Sequence, residues 1–145
     1  MRHALALCAA LGLACSDNGP LGPPDPMAAV AGSWTLQSWE LRYGENSANT
    51  FDMIAAGFAG TLVVGPAGAF TVSLTLQNQP TSTLAGTLTI HGDTLVYNTE
   101  DGEVLIKYAS LGGTMTWDTL LAEVGDIDGD EVSESFTEHM VFRRR

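Results

Sequence analysis

Carboxylates supply the densest chemistry in this chain, and they crowd between residues 126 and 131, which read Asp-Ile-Asp-Gly-Asp-Glu. In a tight turn, Asp126, Asp128 and Asp130 would offer several hard oxygens to Ca²⁺, a cation that takes about six to eight of them. The spacing departs from a helix–loop–helix calcium loop. Gly129 stands fourth, Glu131 holds the sixth place where glycine is needed, and Thr137 stands twelfth. The first reading is therefore a solvated acidic turn joining the last two strands. A Ca²⁺ site built on Asp126, Asp128 and Asp130 is the second.

Glu138 is a carboxylate of a different kind. It shares the alternation of Phe136, Met140 and Phe142 and so falls on the apolar face of its run. Burying a carboxylate is costly unless it is paired. Glu138 is expected to meet water at an exposed or bulged strand end; the alternatives are a bond to Tyr97 or Tyr108, or contact with a ligand. Beyond residue 14 the chain holds His91, His139 and one cysteine, which do not make up a usual zinc ligand set. The serines lack the glycine-elbow context of a nucleophile. These residues suit binding, not catalysis.

The elements that must position them are short alternating runs separated by glycine-bearing turns, the pattern of antiparallel sheet. Eight runs are predicted: Gly32–Arg42, Phe58–Val64, Ala69–Leu76, Leu84–Ile90, Thr94–Asn98, Glu103–Leu111, Thr114–Thr119 and Ser133–Arg143. Within the first, Trp34 and Leu36 share one parity while Trp39, Leu41 and Tyr43 take the other, which predicts a bulge or bend. Between the first two runs, Thr50 or Asn49 could cap a short helix ended by Gly57, with Phe51, Ile54 and Ala55 inward. No other segment reads as helix. The class is all-β.

The N-terminus carries a separate signal. Arg2 precedes an apolar run from Ala4 to Ala14, and small Ala14 precedes Cys15. That run is too short to cross a ~30 Å hydrocarbon core. It resembles a bacterial lipoprotein signal, which implies that residues 1–14 are removed and that Cys15 becomes an acylated N-terminus in the cell envelope. Residues 15–29, with Pro20, Pro23, Pro24 and Pro26, read as a semi-stiff tether, leaving 30–145 as the folded domain. A net charge of −11 repels nucleic acid and anionic head groups, so membrane contact is expected through the lipid alone. Cys8 lies inside the signal, and a single remaining cysteine excludes a disulfide framework.

Gly32-x-Trp34 opens the first run, eight strands follow in sequence, and Arg143 follows Phe142 in the last. The hairpin Gly86-Thr87-Leu88-Thr89-Ile90 and Gly92-Asp93-Thr94-Leu95-Val96 lies between them. Together these resemble the bacterial lipocalin-like domains. The resemblance implies a single up-and-down eight-stranded barrel, with Trp34 plugging its closed end under a cation–π cover from Arg143. It also implies binding of small apolar molecules. Trp34, Trp39, Phe70 and Trp117 are the expected pocket walls, with Tyr97, Tyr108 and Glu138 as polar groups. The same aromatic residues could equally fill a narrow barrel. In that case the domain would be a filled scaffold for another envelope protein. A small or partly filled cavity is the expectation, with no cofactor beyond the possible Ca²⁺.

Overall fold

The alternating runs pair in sequence order until the sheet meets its own first strand. The computed structural model describes residues 25–44, 48–100, 102–127, 129 and 131–145. Among them the strands are β1 (Gly32–Tyr43), β2 (Asn49–Asp52), β3 (Phe58–Val64), β4 (Ala69–Leu76), β5 (Ser82–His91), β6 (Thr94–Thr99), β7 (Gly102–Leu111), β8 (Thr114–Thr119), β9 (Glu123–Gly125) and β10 (Glu134–Arg144). Eight of these, β1-β3-β4-β5-β6-β7-β8-β10, are neighbours in that order, and β10 pairs back onto β1. Every pairing is antiparallel. The result is an all-β, closed eight-stranded barrel, and closure leaves no free edge in its wall.

β2 and β9 stand outside that circle. β2 pairs with the second half of β1, from Glu40 to Tyr43, whereas β3 pairs with its first half, from Gly32 to Thr35. β9 likewise pairs with β10 from Glu134 to Phe136, beyond the stretch His139–Arg143 that pairs with β8. The two small strands thus extend the sheet past the open rim.

The parity change in β1 is a bulge. Leu36 pairs with Phe142 and Ser38 with the next residue, Val141, so Gln37 is the extra residue. One insertion lets Trp34 and Leu36, then Trp39 and Leu41, all face the interior.

The β3–β4, β5–β6 and β7–β8 hairpins gather at one end, which the N-terminal segment closes. Here the structure corrects two expectations. The tether does not run to residue 29: Pro26–Val30 form a helix, α1. Pro26 suits the first helical position, and the Asp25 carboxylate accepts a hydrogen bond from the Met27 N–H at 2.9 Å. Val30 is fully buried at the end of this turn. The second correction concerns the arginine. Arg144, not Arg143, lies over the Trp34 ring, with its guanidinium carbon 4.4 Å from the centroid. Its Nη1 and Nη2 donate to the Ala31 and Ala29 carbonyls at 2.8 and 3.0 Å.

Between β1 and β3, short β2 leads into a run of turns at residues 53–57. A single helical turn occurs there: the Ala56 N–H donates to the Asp52 carbonyl at 3.1 Å. Its cap is Asp52, whose carboxylate accepts from the Ala55 N–H, in place of Thr50 or Asn49.

Candidate functional site

Side chains that share inward parity on a barrel fall at different heights along its axis, and height decides which of them meet a ligand. Near the closed end, Trp34, Val64, Phe70, Leu88, Leu95 and Met115 fill the interior. Above them the filling stops. A cavity of about 160 Å³ opens on the axis, and all eight barrel strands contribute to its wall. That volume is close to the ~150 Å³ of an apolar cavity that accepts benzene. It is below the ~300 Å³ at which pockets for drug-sized ligands begin.

Of the residues expected to form a pocket, Trp39, Phe70, Tyr97, Trp117 and Glu138 all line this cavity. Trp34 and Tyr108 do not. Trp34 sits one inward position below Leu36, sealed at the closed end, where its Nε1 donates to the Val30 carbonyl at 2.8 Å. Tyr108 likewise lies one inward position closer to the closed end than Ile106, the β7 residue in the wall, and packs against the core there. Reading aromatic residues alone missed the aliphatic part of the wall: Leu36, Val72, Leu74, Leu84, Ile106 and Met140. Their parity along each strand carried that signal.

The rings meet edge to face. Phe70 and Tyr97 stand 5.6 Å apart at 64°, and Trp117 and Phe142 stand 5.0 Å apart at 61°. Trp39 makes a third such pair with Phe58, at 5.3 Å and 74°. These arrangements suit the ring quadrupoles and hold the wall in place. The Trp117 Nε1 is buried without a hydrogen-bond partner among the described residues.

Glu138 is the carboxylate in this wall. Its expected place in water at a strand end is corrected by one side-chain bond, while a second bond fixes its backbone. Trp39 Nε1 donates to Oε1 at 3.2 Å, and the Glu138 N–H donates to Thr119 Oγ1 at 2.7 Å. Neither Tyr97 nor Tyr108 is its bonded partner. Burial first, and then the Glu123 carboxylate on β9, push the Glu138 acid up to about 7, against the opposing pull of the Trp39 hydrogen bond. Burial, with Glu138 and Glu123 adding to it, lifts the Tyr97 phenol to about 12, so its hydroxyl keeps its proton at neutral pH.

A second polar group lies on the outer face. The His139 Nδ1 and Asp118 Oδ1 are 2.6 Å apart, and Arg42 reaches Asp118 at 3.8 Å and Glu40 at 3.1 Å. His139 and Asp118 alternate with the wall residues Glu138, Met140, Trp117 and Thr119, so the pair turns away from the cavity.

In the acidic loop, Asp126 is occupied by its own backbone. Oδ1 accepts from the Gly129 N–H at 2.7 Å and Oδ2 from the Glu131 N–H at 3.1 Å. Asp128, Asp130 and Cys15 lie outside the described residues.

No family model matches this chain, and a search of curated proteins finds no match.

Proposed function

We propose that this chain is a non-catalytic, lipocalin-like lipoprotein of the bacterial cell envelope whose barrel holds a small hydrophobic or amphipathic molecule. One observation carries the binding reading: an axial cavity walled by Trp39, Phe70, Tyr97 and Trp117, with the carboxyl of Glu138 at its side. Mostly apolar walls with one or two placed polar groups are how small-molecule sites combine affinity with orientation. The driving force is desolvation, about 25 cal/mol per Å² of carbon surface removed from water. The cavity volume sets the occupant at roughly the size of a benzene ring with a short arm.

The test uses the protein's own reporters. Titrating the purified protein with toluene or benzyl alcohol should shift the emission of Trp39 and Trp117. Val72→Phe, which fills the wall with a larger side chain, should remove that response while the circular dichroism of the barrel persists. An unchanged emission for both probes, confirmed by calorimetry without binding heat, overturns the reading and returns the domain to a filled scaffold.

The anchor rests on the residues preceding the barrel. Small Ala14 before Cys15 supports acylation of that thiol, which places the barrel at a membrane without a basic patch. The intact mass of protein from the membrane fraction should begin at Cys15 and carry acyl chains. An unmodified thiol overturns the anchor.

A further inference from the structure

The cavity wall has an uneven chemistry. It carries five aromatic rings, from Trp39, Phe70, Tyr97, Trp117 and Phe142, and one carboxyl group, from Glu138. Among the described residues no lysine, arginine or histidine lines it, and neither Glu138 nor Glu123 takes part in a described ion pair. Trp39 occupies Oε1 of Glu138. Its other oxygen, Oε2, has no hydrogen-bond partner among the described residues, leaving an acceptor open at the wall.

A ligand anion would meet Glu138 with Glu123 behind it and no compensating cation. A neutral hydrocarbon would fill the space and leave Oε2 unmatched. A cation answers both features, because ring faces carry negative quadrupole charge and a carboxylate accepts from an ammonium. We infer that the cavity selects a small amine in its ammonium form, with the charged nitrogen against Glu138 Oε2 and a benzene-sized carbon body between the rings. This deepens the binding reading given above and rests on it. Recognition would be divided between the two ends of the ligand: the rings supply contact area, and the single carboxylate supplies the sign of the charge.

Three probes of one shape separate the possibilities: benzylamine, benzyl alcohol and benzoate, titrated calorimetrically into the purified full chain at pH 8. Benzylamine should bind about tenfold more tightly than benzyl alcohol, with benzoate weakest. Glu138→Gln should abolish the preference, bringing benzylamine and benzyl alcohol to within about twofold of each other. Glu123→Gln, at an exposed rim position on β9, should alter benzylamine affinity only a few-fold.

Acidity adds an independent arm. The titratable groups facing Glu138 from the packed elements are Tyr97 on β6 and Glu123 on β9, while His139 and Asp118 turn outward. Between pH 8 and pH 5 the ionised fraction of Glu138 falls with its proton uptake, and benzylamine affinity should drop by up to about tenfold, toward that of the alcohol. The alcohol should be unaffected. Equal affinity for amine and alcohol, or an amine preference that survives in Glu138→Gln, overturns the amine inference and leaves the cavity as a binding site. Binding by none of the three probes overturns the binding reading itself.

Discussion

The Trp39 Nε1 donates a hydrogen bond to Glu138 Oε1 at 3.2 Å, joining residues 99 positions apart across the β1–β10 seam that closes the barrel. One bond therefore ties the closure of the fold to the only carboxylate in the described cavity wall. Glu138 pairs with Leu41 rather than with Trp39 in the strand register, so the contact reaches diagonally across the seam. It holds an acid at a place where the surrounding rings disfavour its charge.

That tension predicts a pH dependence of stability. An acid whose folded value lies above its unfolded value of 4.5 keeps its proton more tightly in the folded protein. Folding is favoured in acid by this group, and the advantage is lost as pH rises from 4.5 to about 7. Above that window the ionised carboxylate is a fixed penalty of up to ~3 kcal/mol. Glu138→Gln keeps an oxygen for Trp39 and removes the charge. Urea unfolding should show the variant more stable than the parent by ~1–3 kcal/mol at pH 8 and nearly equal to it at pH 4, below the unfolded value. The same difference at both pH values would show that the ionisation of Glu138 is not being resisted.

Arg144 predicts a sharp contrast between adjacent residues. It covers Trp34 and bonds two carbonyls of the α1 segment, whereas the Arg143 side chain has no bond among the described residues. Arg144→Ala should cost ~1.5–3 kcal/mol through lost charge-assisted bonds and lost cover for the indole. Arg143→Ala should stay within ~0.5 kcal/mol. Paired denaturation curves decide the matter, and equal losses would remove the cap from Arg144.

The arginine also marks how much of this fold could be read in advance. Arg144 has the parity of Phe142, which faces inward, so alternation already favoured it over Arg143. Barrel strands were legible because glycine turns separate runs with one apolar face, and the bulge was legible because parity flips between Leu36 and Trp39. β2 was not legible: all four of its residues are exposed, so no apolar face marks it, and it exists because β1 outruns its barrel partner. β9 follows the same logic on β10. Helix α1 was hidden by the prolines around it, although Asp25-Pro26 is a sound start. The site was legible by face but not by height. Trp34 and Tyr108 carry the right parity and still miss the cavity, because alternation says nothing about distance along the axis.

Gly86 predicts a cost that alternation alone would not suggest. A Cβ built there would collide with the Asn98 carbonyl oxygen and lie 2.9 Å from the Phe70 ring. The first obstacle is backbone of β6 and cannot swing aside. Gly86→Ala should therefore destabilise by ~1–3 kcal/mol or more, as overpacking does, despite alanine being the better strand former. A neutral or stabilised variant in thermal melts would mean that β5 and β6 approach less closely here.

The bulge at Gln37 makes the strongest claim about how the chain builds its cavity wall. Its side chain is exposed, so Gln37→Ala should change stability by no more than ~0.5 kcal/mol. Deleting the residue tests what the bulge itself does. Without Gln37, Trp34, Leu36, Trp39 and Leu41 fall into strict alternation, and the Leu36–Phe142 and Ser38–Val141 pairs become adjacent rungs of a regular ladder. Trp39 and Leu41, each only 8% exposed, therefore keep facing inward, and the bond from Trp39 to Glu138 is kept. What is lost is the local bend that the extra residue gives β1. The deletion variant should still unfold cooperatively and keep the near-ultraviolet signal of the buried tryptophans, at a cost of ~1–3 kcal/mol from strain in the straightened strand. A deletion variant without a cooperative transition would show that closure of the barrel depends on this bend and not on parity alone.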